Sequence, residues 1–146
     1  MNKIPLPVQA IDAEFLPVYA TSAAAGADLR ASVTEPVVIA SGSSAIIPTG
    51  IRVEIPTGYE IQIRPRSGFA AKNQVTVLNA PGTIDADYRG EIAVILINHG
   101  KEPFVVLPKM RIAQMVFAPV IQAAFVRVEQ LATSQRGEGR FGHTGA

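Results

Sequence analysis

The sequence predicts an all-β protein of a single domain, and three observations carry that prediction. Its 12 glycines and 11 prolines fall between short apolar runs, at a spacing of roughly ten residues that suits a sandwich or barrel. The clearest runs alternate apolar and polar residues, and no segment has the apolar spacing of a long helix. At 146 residues, 48% of them hydrophobic, the chain is about one domain in length and can bury a real core.

Tyr59-Glu60-Ile61-Gln62-Ile63-Arg64 alternates strictly and reads as a strand with one wet face, as does Phe125-Val126-Arg127-Val128-Glu129. Ile92-Ala93-Val94-Ile95-Leu96-Ile97 is apolar throughout. Such a strand is either sandwiched between sheets or packed against another copy of the chain. Pro-Thr-Gly at 48–50 and again at 56–58 brackets Ile51-Arg52-Val53-Glu54-Ile55 with turn chemistry, as in a meander. From Thr133 the composition turns to Gly, Ser, Thr and Arg, with Phe141 and Ala146 the only apolar residues. This divides the chain into a folded part, 1–132, and a mobile glycine-rich arm, 133–146, belonging to the same domain.

Charge and composition exclude several function classes. Thirteen Lys and Arg against 12 Asp and Glu give a net charge of +1, so no basic face is expected to bind polynucleotide, and nucleotide recognition must be local. The absence of cysteine removes disulfides, thiolate zinc sites and Cys nucleophiles. Pro5, Pro7 and Gln9 interrupt any signal-peptide core after Lys3, and no run approaches a membrane span, so a cytoplasmic protein is expected.

Candidate chemistry lies in three segments. The tail Arg136-Gly137-Glu138-Gly139-Arg140-Phe141-Gly142-His143-Thr144-Gly145 interleaves glycines with arginines and a hydroxyl. Glycines let backbone N–H groups close on an anion, Arg offers a planar donor fork, and a lone Phe can stack on a base; the alternative is a frayed terminus. Arg64-Pro65-Arg66-Ser67-Gly68-Phe69 follows a strand and reads either as a phosphate cradle or as a strand exit with surface arginines. Ala80-Pro81-Gly82-Thr83-Ile84-Asp85-Ala86-Asp87-Tyr88-Arg89-Gly90 holds two acids and a tyrosine between turns. A carboxylate fixed there can orient or deprotonate water for attack on phosphorus. Asp28, just after Gly26, reads as a turn residue bonding its own backbone, and His99 as part of a hairpin tip. His99 and His143 show no metal-ligand spacing, and neither is assigned to a metal.

Taken in order, Ala25-Gly26-Ala27-Asp28-Leu29, Pro65-Arg66-Ser67-Gly68, Asn79 through Gly90, Arg111-Ile112-Ala113-Gln114-Met115 and the glycine-rich tail resemble the five motifs of the trimeric dUTPase family, spanning Ala25 to Gly145. The resemblance implies a distorted jelly-roll (β-clip) barrel, a homotrimer with active sites shared between subunits, and hydrolysis of dUTP to dUMP and pyrophosphate. It gives Asp85 the catalytic role and not Asp87. It assigns Asn79, Gly82, Thr83 and Ile84 to a tight hairpin that reads uracil and leaves no room for a thymine methyl. Tyr88 packs under the deoxyribose and excludes a 2′-hydroxyl. Arg66, Ser67, Gly68 and Gln114 match phosphate contacts, Arg136 and Thr144 the γ-phosphate contacts, and Phe141 with Gly142 the closure over the base. Asp28 holds the geometry. Mg2+ is carried by the triphosphate and water, with no direct protein ligand. The chain departs from the pattern at Arg140, where glycine is usual, and at His143, where serine is more usual.

Two other readings compete. In the related dCTP deaminases, aligned on Ile84-Asp85 and Gly90, a catalytic glutamate stands where this chain has Ile95, and isoleucine transfers no proton. A non-catalytic nucleotide-binding β-sandwich would require a decayed site, whereas every matched residue is present.

Overall fold

The computed structural model describes residues 1–146. Its strands are β1 (Val8–Ala10), β2 (Val18–Tyr19), β3 (Ala27–Arg30), β4 (Val37–Ile39), β5 (Ser44–Pro48), β6 (Ile51–Val53), β7 (Tyr59–Arg64), β8 (Val75–Val77), β9 (Gly82–Ile84), β10 (Ala93–Asn98), β11 (Phe104–Val106) and β12 (Arg111–Pro119). One 3-10 turn, Ala13–Phe15, and one short helix, α1 (Ser67–Asn73), complete the regular structure. All strand pairing is antiparallel. The sheets run β2-β3-β12-β7-β9, β5-β10-β8, β1-β6 and β4-β11.

All four sheets feed one core of 21 buried apolar residues, which confirms a single all-β unit. Alternation fixes which side chains enter it. In β7 Ile61 and Ile63 are buried while Arg64 is exposed, and Ile51, Val53 and Ile55 point inward past exposed Arg52 and Glu54. In β10 Val94, Leu96 and Asn98 are buried, but the opposite side is not covered by a second sheet. Ile95 is half-buried there, and its cross-strand partner Ile46 is 70% exposed.

Two local expectations are corrected, the strand at Phe125–Glu129 and the hairpin tip at His99. Phe125–Glu129 forms no strand: Phe125 is 97% and Val126 77% exposed, and the segment pairs with no sheet. No residue from 120 to 146 lies in a helix or strand, so regular structure stops at Pro119, ahead of the change in composition at Thr133. His99 is not at a hairpin tip, since β10 and β11 belong to different sheets.

Asn98, unremarked in the sequence, ties these sheets together. Its buried amide nitrogen donates to the Ile39 carbonyl at 3.0 Å and the Glu102 carbonyl at 2.8 Å, and its oxygen accepts from the Gly100 N–H at 2.9 Å. Replacing it would strand backbone groups with no water to take them. Asn98→Ala is expected to cost about 2–4 kcal/mol in urea unfolding, and a loss below about 1 kcal/mol would show that these groups find other partners.

Candidate active site

The first cluster forms where β7 leaves the five-stranded sheet. Arg66, in extended conformation at the start of α1, places Nε 3.5 Å from Asp28 Oδ1, while Arg111 Nη1 lies 3.8 Å from Asp28 Oδ2. The Asp28 side chain is only 16% exposed and faces both guanidinium groups, so it fixes where positive charge stands. Arg66 Nη1 also donates to the Arg111 carbonyl at 3.1 Å, and its guanidinium sits 5.9 Å from the Phe69 ring centre. Asp28 is therefore not the self-bonding turn residue that its sequence neighbours suggest. It lies in β3 and reaches across the sheet's end.

Gln114 stands opposite Asp28 in the β12–β3 register and donates to the Pro65 carbonyl at 3.0 Å. Gly26 makes this possible, because a Cβ there would run into the Gln114 amide. Ser67 and Gly68 open α1 and are exposed. With Asp28, Arg66 and Gln114 they line one groove.

The second cluster follows β8. Gly82 lies under the Asn79 amide and against Ile63, with a would-be Cβ only 3.2 Å from Asn79 Nδ2. β9 pairs with β7, placing Thr83 opposite Gln62 and Ile84 opposite Ile61. The Asn79 segment is not a paired hairpin, however: β8 and β9 belong to different sheets, and Leu78–Pro81 turns the chain between them through a cis Ala80–Pro81 bond. Asp85 follows β9 and is exposed. Its carbonyl accepts from the Tyr88 N–H at 3.1 Å, the Tyr88 hydroxyl donates to the Glu91 carbonyl at 2.8 Å, and the Tyr88 ring lies across Gly90. Asp85, Asp87 and Arg89 line a second groove beside Tyr59 and Glu60.

The two grooves sit toward opposite ends of β7. Ile84 is opposite Ile61, so Asp85 leaves near Glu60, whereas Arg66 lies beyond Arg64. Glu60 and Arg66 are six steps apart along extended chain, roughly 20 Å at strand rise. The tail joins neither groove. Arg136, Phe141, Gly142 and Thr144 are all exposed, and the tail's hydrogen bonds are local: Arg136 Nε to the Gly139 carbonyl at 3.0 Å, and turns closing at Gly139, His143 and Gly145. No three His, Asp or Glu side chains gather in a way that could hold a metal ion.

The family model for dUTPase matches residues 13–145, which takes in both clusters and nearly all of the tail. The chain belongs to the dUTPase family. The deoxyuridine 5'-triphosphate nucleotidohydrolase of Chlamydia pneumoniae is 63% identical over 132 residues, 90% of this chain and 91% of that protein. That of Chlamydia abortus is 57% identical over 133 residues, 89% and 90% of the two chains. Among solved structures, the dUTPase of Staphylococcus bacteriophage 80alpha with dUpNHpp has a TM-score of 0.84 at 26% identity, covering 99% of this chain and 100% of that one. A mutant dUTPase from phage phi11 of S. aureus, described with a structural Mg(II) ion, has a TM-score of 0.78 at 22% identity over 89% and 100% of the chains, a likeness of fold.

One dUTPase chain thus collects Asp28, Arg66, Ser67, Gly68 and Gln114 in one groove, strings Asn79, Gly82, Thr83, Ile84, Asp85 and Tyr88 along β9 and the turns that flank it, with only Asp85 of these lining the second groove, and leaves Arg136, Phe141, Gly142 and Thr144 outside both grooves. Sequence reasoning passed over Arg111, which stands at the head of the Gln114 segment as the second cation on Asp28. A basic residue opening that segment was the available signal. Asp28→Asn keeps the shape and removes the charge, so it should raise KM for dUTP by roughly three- to tenfold and cost about 1 kcal/mol of stability. Unchanged KM in steady-state assays would mean that Arg66 holds its place without the carboxylate.

Proposed function

We propose that this chain hydrolyses dUTP to dUMP and pyrophosphate, with Asp85 as general base, in sites that three copies of the chain build together. The observation that carries this reading is the placement of Asp85 and the Arg66–Ser67–Gln114 cluster at opposite ends of β7. A single triphosphate cannot reach both within one chain. A neighbouring copy can bring its phosphate cluster to this chain's Asp85, and a third can supply its tail. The uncovered apolar side of β10, with Ile46 opposite Ile95, gives such copies a surface to bury, in keeping with a homotrimer.

In this arrangement Asp85 takes a proton from water as the water oxygen attacks the α-phosphorus. The bond from that phosphorus to the bridging oxygen breaks, and pyrophosphate leaves. Asn79 and the backbone of Gly82, Thr83 and Ile84 read the uracil edge, and Tyr88 excludes a ribose hydroxyl. Arg66, Ser67, Gly68 and Gln114 hold phosphate oxygens. Arg136 and Thr144 engage the γ-phosphate while Phe141 and Gly142 close over the base, shielding the reacting phosphorus from bulk water. The glycine-rich arm, 133–146, is the moving part, and 1–132 is the body, closed as a distorted jelly roll.

Magnesium suits these residues as a companion of the triphosphate. The one part-buried carboxylate of the phosphate cluster, Asp28, already faces Arg66 and Arg111, which leaves water and substrate oxygens as the metal's ligands. Bound there, it would offset phosphate charge. No helix is long and apolar enough to cross a membrane. We assign the enzyme to the cytoplasm, where its dUMP would supply thymidylate synthesis.

Pyrophosphate release with magnesium should be rapid from dUTP and at least about a hundredfold slower from dCTP, dTTP and UTP. Asp85→Asn should bind dUTP about as well while kcat falls by about 10²–10⁴. Normal turnover by Asp85→Asn would remove the assigned base, and ammonia release from dCTP would point to deamination instead.

A further inference from the structure

The loop between β9 and β10 carries Asp85 and Tyr88 without any strand ladder to hold it, and its geometry comes from hydrogen bonds to its carbonyls. Arg89 Nη1 donates to the Ala86 carbonyl at 2.7 Å and to the Tyr88 carbonyl at 3.2 Å. The carbonyl of Arg89 itself accepts from Arg52 Nη1 of β6 at 3.2 Å. Together with the Asp85–Tyr88 backbone bond and the Tyr88 hydroxyl on Glu91, five of the seven carbonyls from Asp85 to Glu91 have partners.

Arg89 forms no ion pair, although Asp85, Asp87 and Glu91 are all within four residues of it. Its guanidinium is turned onto backbone oxygens, three residues and one residue before its own position. That clamp fixes the peptide planes between Ala86 and Tyr88, and with them the direction in which the Asp85 carboxylate and the Tyr88 ring leave the chain. Both bonds leave from Nη1, whose hydrogens lie in the rigid guanidinium plane, whereas a lysine ammonium is a rotating point charge whose donors are not set in direction.

We propose that Arg89 is a positioning residue for the Asp85–Tyr88 loop, setting both the aim of the general base and the fit of the tyrosine that rejects ribonucleotides. Arg52 braces the clamp from β6. The proposal rests on the roles given above to Asp85 and Tyr88, and it adds to them a residue that acts through the backbone of their loop.

The test compares Arg89→Ala and Arg89→Lys with the unaltered enzyme on dUTP and UTP, with Asp85→Asn beside them and with urea unfolding of each protein. Arg89→Ala should lower kcat on dUTP about tenfold, as expected for losing hydrogen bonds from a charged donor. Because the loosened tyrosine also admits a 2′-hydroxyl, the dUTP-to-UTP ratio of kcat/KM should narrow by roughly three- to tenfold. Arg89→Lys should fall between, and added guanidinium at non-denaturing concentration should restore part of the Arg89→Ala rate. An unchanged ratio in both variants would overturn the proposal, whether the rate falls or not, because a general loss of folded enzyme lowers both substrates alike. If Asp85→Asn turns over dUTP normally, the assignment of the base fails first, and this inference fails with it.

Discussion

The pairing of β12 between β3 and β7 is the constraint on which the rest of the structure depends. Gln114 stands opposite Asp28 on one side and Arg64 on the other, while Met115 stands opposite Ala27 and Ile63. Opposed residues share a face, so this one register sends Ala27, Ile63 and Met115 into the core and places Asp28, Arg64 and Gln114 together on the outer side. A slip of one residue would bury the polar row and expose the apolar one. Burial of the core therefore also fixes the cluster of Asp28, Arg66 and Gln114. The irregular step between Arg111 and Ala113 lets Ile112 and Ala113 both be buried while Arg111 turns out toward Asp28.

The same sheet separates the chemistry it organises. β7 carries the cationic cluster at its far end and receives β9 along Ile61–Ile63, in the direction that sends Asp85 out toward the near end. A rigid strand cannot fold back to join them, so under the function proposed above a shared site becomes a requirement of this topology. The exposed chain after Pro119 fits that requirement. Ile121, Phe125 and Leu131 are each more than four-fifths exposed, which is costly for a segment meant to stay alone in water. In the proposed mechanism tail closure would couple turnover to assembly, because the arm that covers the base need not belong to the chain that supplies Asp85.

How much of this was legible in the sequence depended on whether the signal was local. Alternation in Tyr59–Arg64 and Ile51–Ile55 found the strands and their inward faces, because period two needs no knowledge of partners. The same alternation in Phe125–Glu129 misled, since a strand exists only where another edge accepts its hydrogen bonds. The unbroken apolar run at Ile92–Ile97 announced two apolar faces but could not say what covers the second. Site residues were legible as motif members, yet their grouping was not. That Asp28 bridges Arg66 and Arg111 follows from a strand pairing between distant segments, and so does the burial of Asn98. The clamp of Arg89 on its own loop is local, but it is written in carbonyl positions that no side-chain pattern reveals.

The most direct test of a shared site is complementation between two inactive proteins. One is Asp85→Asn with its tail intact, and the other keeps Asp85 but ends at residue 132. Each alone should have little turnover. Unfolded together and refolded as a mixture, they should regain a substantial share of dUTP hydrolysis, because mixed assemblies contain sites with an intact Asp85 from one chain and a tail from another. No recovery from mixed assemblies, verified as such by mass, would show that base and tail act within one chain and would contradict the account.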